Sequence, residues 1–117
     1  MQNRFGLFNY DKDGYSPIAL AVLNDHLDIV KMFIEKFGYQ IDSVCTQDNK
    51  TAIELAEEKG SAKVLGYLQA NYDLIKATAL DDRSGAASAL NRGAYYKVQF
   101  SEDLVNQLSK STSIKPN

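Results

Sequence analysis

The chain has no tryptophan, one cysteine, one histidine and two prolines, and basic residues are in slight deficit, 13 against 15 acidic. Each shortage excludes something. Cys45 alone closes no internal disulfide, so a reducing compartment is the simplest expectation. With only His26 and Cys45 available, nucleophilic catalysis would need those two to meet in space beside an orienting group. The same two are too few for a transition-metal site, so the expectation is no enzyme, no metal and no cofactor, with His26 structural and Cys45 inert. A net charge of −2 and a pI near 5.3 leave no broad basic face for phosphates, and nucleic acid is not an expected partner. No apolar run approaches the length that spans a bilayer, and Met1-Gln2-Asn3-Arg4 lacks the apolar core of a secretory signal, so no membrane partner is expected either.

What is present is an ordinary globular composition, 44% hydrophobic and 24% charged, over 117 residues, enough for one domain with a modest core. Within it a pattern recurs. Asp13-Gly14-Tyr15-Ser16-Pro17-Ile18-Ala19-Leu20-Ala21 is answered 35 residues later by Asp48-Asn49-Lys50-Thr51-Ala52-Ile53-Glu54-Leu55-Ala56. The offset persists, since Ile29 pairs with Val64, Val30 with Leu65 and Phe33 with Leu68. A long constant period is the mark of a stacked-repeat architecture.

The local signals place helices inside each period. Gly14 ends a polar turn, and Ser16-Pro17 opens a short helix to about Asn24, with Ile18, Ala21 and Val22 on one stripe. Asp25 is read as a cap for the next helix, Leu27 to Phe37, whose apolar face is Ile29, Val30, Phe33, Ile34 and Phe37. In the second period Thr51 and Glu54 form a capping box, Lys59-Gly60 ends the helix, and Ser61 starts a partner burying Val64, Leu65 and Leu68. Gly66 within that partner suggests close approach to a neighbour. The period fails after Leu68, and a new pattern at Leu74, Ile75 and Ala77 is read as a third helix pair, turning at Asp81 to Ser84 and closing with Ala86, Ala87, Ala89 and Leu90. An extended segment over Tyr95 to Phe100, a turn or two of helix after Ser101 and a frayed polar tail from Ser109 complete the reading. The expected boundaries are an apolar segment over 1–10, carrying Phe5, Leu7, Phe8 and Tyr10, repeats over 11–45, 46–71 and 72–100, and a capping helix with tail over 101–117.

Gly14-Tyr15-Ser16-Pro17-Ile18-Ala19-Leu20-Ala21 resembles the Gly-x-Thr-Pro-Leu-His-x-Ala signature of ankyrin repeats, and Asp25-His26-Leu27-Asp28-Ile29-Val30 is similar to the Gly-His-x-Glu-Ile-Val that links the family's two helices. Thr51, Ile53, Leu55, Ala56 and Gly60 continue it; Ala77 and Gly93-Ala94 are its traces in the third copy. Ala19 and Glu54 depart from it at the signature histidine. The 35-residue spacing exceeds the family's usual 33, which suggests an insertion around Phe37 to Ser43. A missing finger before the third pair suggests a kink near Asn71 to Leu74. The resemblance implies an all-α solenoid of antiparallel helix pairs joined by finger loops, acting by binding another protein, as an adaptor or effector does, in the cytoplasm or a host cytosol.

On that plan the partner-binding residues are those of the finger tips and first helices: Tyr10, Lys12, Tyr15, Ala19, Leu23, Gln47, Lys50, Glu54 and Glu58. Tyrosine suits such a surface, although each ring could equally pack on a neighbouring finger. Glu54, Glu57 and Glu58, with Asp48, read either as a solvated helix face or as an acidic recognition patch. Asn9, Asp11, Asp13 and Gly14 fall at calcium-loop spacings, but Leu20 replaces the closing glutamate and Pro17 starts a helix inside the loop. The alternative to partner binding is a stack whose open end associates weakly with itself or with further repeats, motivated by the apolar cluster from Phe5 to Tyr10.

Overall fold

Ser16 and Thr51 open two equivalent helices by the same chemistry. Each adopts an extended backbone, and its hydroxyl accepts the amide three residues on, Ala19 N–H at 3.3 Å and Glu54 N–H at 3.3 Å. Glu54 returns the bond, accepting Thr51 N–H at 2.9 Å, so the capping box read from the sequence is formed. In this computed structural model, which describes residues 9–113, the helices are α1 (Pro17–Leu23), α2 (Leu27–Lys31), which continues as a π-helical turn over Met32–Lys36, α3 (Ala52–Lys59), α4 (Ala62–Ala79), α5 (Arg83–Asn91) and α6 (Glu102–Ser113). Most of the apolar segment at 1–10, including Phe5, Leu7 and Phe8, lies outside the described residues.

The helices form two layers. α1 packs beside α3, and α2 with its π turn beside α4, while α1–α2 and α3–α4 are the antiparallel pairs. Ile18, Val22, Val30, Phe33, Ile34, Leu55, Val64 and Leu68 fill the space between. The described fold is thus all-helical, with only isolated bridges, Tyr15 to Thr46 and Val44 to Thr51, where the fingers meet.

Two polar contacts lock the pairs to each other. Asp25, held at φ 54°, stands where the second copy has Gly60 at φ 71°. Its carboxylate does not cap α2. It reaches across to the start of α4, accepting Val64 N–H at 2.9 Å and Lys63 N–H at 3.4 Å. Beside it the Ser61 hydroxyl donates to the Val22 carbonyl at 2.6 Å. The orphan amides of one repeat are therefore satisfied by the previous one.

Several expectations change. The break and kink placed near Asn71 to Leu74 are absent: α4 runs unbroken to Ala79, so the 71/72 boundary and the signature position given to Ala77 both fall inside one helix. The segment has neither glycine nor proline, and the buried Asn71 side chain is fully engaged, its amide donating to Tyr67 O at 2.9 Å and its carbonyl accepting Tyr95 N–H at 2.8 Å. The lost period marks a change in what packs against the helix, since α5 and α6 now lie on α4. The α6 helix runs three turns, beyond the expected fraying at Ser109. Residues 95–100 form turns and coil instead of an extended segment, tied to the first connecting loop by Ile41 N–H to Gln99 O at 2.9 Å and by Asp42, which accepts from the Ser101 amide at 3.0 Å and its hydroxyl.

The extra length of the first repeat appears partly inside a helix, where the π turn takes an additional residue per turn with Phe37 N–H bonded to Met32 O. That widening rotates Phe37 out of the core, leaving it 56% exposed, and Ile29 is also at the surface, so neither belongs to the buried stripe. Leu90 is likewise exposed, because α5 buries only Ala89. Gly66 does not mark a close approach: a β-carbon there would meet nothing within 4 Å.

Candidate functional site

The two finger tips are built on opposite demands. The first, Asp11 to Tyr15, is organised by the Asp11 carboxylate, which accepts Asp13 N–H at 2.9 Å and Tyr15 N–H at 3.0 Å. That inward use gives the Asp11 carboxylate a role within the turn, and no group of three or more possible metal ligands is found among the described residues. Gly14 takes φ +86°, and a β-carbon on it would lie 3.2 Å from Gln47 Cβ. The left-handed backbone favours glycine there, and an added β-carbon would have to displace the Gln47 side chain. Asn49 fills the equivalent place at φ 68°. The second tip turns on buried Thr46, whose hydroxyl accepts Lys50 N–H at 3.0 Å and donates to Asp48.

The tips are joined to each other. Gln47 N–H donates to Gly14 O at 2.8 Å, Ser16 N–H to Cys45 O at 3.2 Å and the Ser16 hydroxyl to the same carbonyl at 2.7 Å. Cys45 is consequently sealed beneath them at 1% exposure, and burial, reinforced by Glu54 and Asp48, pushes its thiol up to about 12. It is no thiolate nucleophile at neutral pH. His26 lies exposed in the α1–α2 turn, and its ring makes no capping bond to α2.

The nine partner-binding candidates divide accordingly. Tyr10, Lys12 and Gln47 are exposed at the tips, and Tyr15 is half-buried with its ring against the core. Lys50 links the second tip to α3: it pairs with Glu58 and lies 3.8 Å from Asp48. The Glu58 hydrogen bond holds the lysine above its ordinary range, Lys50 in turn depresses Glu58, and the Thr46 hydroxyl is the main cause depressing Asp48. Glu54 is exposed but committed to the capping box. Ala19 cannot touch a partner. It has 0% exposure, because a side chain this short lets its neighbours close over it, and Leu23 is half-buried on the core. Sequence reasoning missed Thr46 and the bridging role of Asp48; the Thr-x-Asp spacing of a side-chain-closed turn was the available signal.

The exposed carboxylates of the tips and α3 are Asp11, Asp13, Asp48, Glu54, Glu57 and Glu58, against Lys12, Lys50 and Lys59, six acids to three bases. The surface is therefore acidic, preformed and shallow.

A model of a family described as ankyrin repeats, in three copies, matches residues 3–79. The match ends with the last residue of α4, so α5 and α6 lie outside it. No curated protein and no solved structure matches the chain. Among the described residues no helix is long and apolar enough to cross a membrane.

Proposed function

The chain belongs to the ankyrin-repeat family, and from that premise we propose that it is a protein-binding module whose contact surface is the pair of finger tips together with the exposed side of α3. Ankyrin repeats generally mediate protein–protein interaction. The observation that carries the finer reading is the Gln47 N–H to Gly14 O bond, which holds successive tips in fixed register. Tyr10, Lys12, Gln47 and Asp48 are then presented as one preorganised surface, so little side-chain and loop entropy is lost on binding. The excess of carboxylates favours a partner whose contact surface is basic, captured quickly at low salt and less so at high salt. Such a partner would be bound as an adaptor or effector binds its target.

The test uses Asp13 and Gln47, which are exposed at the tips. The double variant Asp13→Lys, Gln47→Ala, which reverses one of the acidic charges the partner would meet, is expected to lose capture of the partner while its melting temperature stays within about 2 °C of wild type, as surface changes do. Undiminished capture by this variant would remove the finger tips from the reading.

A further inference from the structure

Within the second repeat, Leu55, Val64 and Tyr67 are buried because the first repeat lies against them. Their counterparts 35 residues earlier, Leu20, Ile29 and Met32, are just as apolar, yet they are 39%, 37% and 39% exposed, and Phe37 extends the patch. Nothing among the described residues covers this face. On the far side of the second repeat α5 and α6 pack on α4, so the opposite end of the stack is not a repeat of this face. A pairing that joins like faces covers this one on both copies at once.

The charges on that face are arranged for such a pairing. Asp28, Met32 and Lys36 are all exposed, four residues apart, and the π turn over Met32–Lys36 brings Lys36 back into line with the other two. Lys31 and Glu35, by contrast, point at α4, Lys31 over the Tyr67 ring and Glu35 accepting its hydroxyl at 2.6 Å. Asp28 and Lys36 make no ion pair among the described residues. They stand symmetrically about Met32. Two such helices laid antiparallel across a twofold axis place each Asp28 against the second copy's Lys36, Met32 against Met32, and Ile29 beside the second copy's Phe37.

We propose that this face of α2 and its π turn is a self-association surface, forming a twofold dimer centred on Met32. It goes beyond the partner-binding reading and uses a different surface. One short helix with Leu20 buries less than the roughly 1,200 Å² of a standard interface, so the dimer is weak and forms in the micromolar range.

Sedimentation equilibrium of the full chain tests it. Wild type is expected to show a reversible monomer–dimer equilibrium. Asp28→Lys and Lys36→Asp, each of which turns two attractions into two repulsions, should each weaken association by about tenfold or more. An equimolar mixture of these two variants should regain wild-type association, since the introduced lysine of one chain then meets the introduced aspartate of the other, and the remaining native Lys36 meets the remaining native Asp28. Met32→Glu, which keeps both charges, should abolish the dimer, with the folded state verified by circular dichroism. A wild type that stays monomeric throughout, whether because residues 1–8 of the same chain or a different protein takes the face, overturns the proposal. So does a mixture that fails to associate, or a dimer that survives Met32→Glu.

Discussion

Replacing Asp25 separates the energies that couple the two repeats. The residue does three things at once: its carboxylate caps Val64 and Lys63, it places a negative charge at the start of α4, and its backbone accepts φ 54°. Alanine removes the cap, about 1 kcal/mol, and the favourable charge, about 0.5 kcal/mol, and carries a left-handed penalty of about 1 kcal/mol. The sum for Asp25→Ala is about 2.5 kcal/mol, or a fall of about 10 °C in Tm for a chain of this size. Glycine loses the cap but adopts the backbone freely, so Asp25→Gly should cost about 1 kcal/mol less than alanine. Asparagine keeps both the acceptor and the backbone tolerance, and Asp25→Asn should cost under about 1 kcal/mol. Thermal and urea melts of the three variants give the order directly. The alanine variant should also show a lower urea m-value, because the weakened boundary lets one repeat open before the other. Equal losses for alanine and glycine would refute the backbone argument, and three neutral substitutions would refute the cross-repeat cap.

Other consequences are as specific. Gly66→Ala should raise stability by about 1 kcal/mol, read from the urea midpoint, because the helix gains propensity and the added methyl meets no neighbour; destabilisation would mean an unrecognised contact. Asn71→Leu leaves the Tyr95 amide without its acceptor and should cost about 2–3 kcal/mol, with hydrogen-exchange protection at Tyr95 lost first. The Cys45 thiol should resist alkylation at pH 8 in the native protein and react fully in denaturant; rapid native labelling would contradict its burial. Its folded value, about 12, lies above the ordinary 9.0, so its contribution is complete below pH 9 and is lost as pH rises towards 12, at up to about 1.4 kcal/mol per unit. Tyr72, likewise raised to about 12 by burial, adds to the alkaline loss.

The parts of this fold that were legible in the sequence are those governed by near neighbours. Ser16-Pro17 and the Thr51–Glu54 box declare helix starts because cap and helix are contiguous, and Asn49 stands in for Gly14 because both tolerate the same backbone. The cap from Asp25 to Val64 spans 39 residues, and no local pattern distinguishes it from a cap on α2. Likewise the continuation of α4 depends on α5 and α6 supplying new packing partners where the repeat period stops. The π turn was hidden because 3.6-residue spacing assigns Phe37 to the core, whereas the wider turn carries it outward. Among the candidate contact residues, the sequence pattern placed Lys12 and Gln47 on turns, where both are exposed, but could not tell that Ala19 is roofed over or that Glu54 is already bonded.

The most direct measurement of the partner-binding reading is site-specific photo-crosslinking in cells. A photoreactive side chain is placed in turn at Lys12, Gln47 and Glu57, on the tips and α3, and at Gln69 and Lys63 on the exposed side of α4. The account predicts that one protein is captured from the first three positions and not from the last two. Capture from Gln69 and Lys63 alone would contradict it.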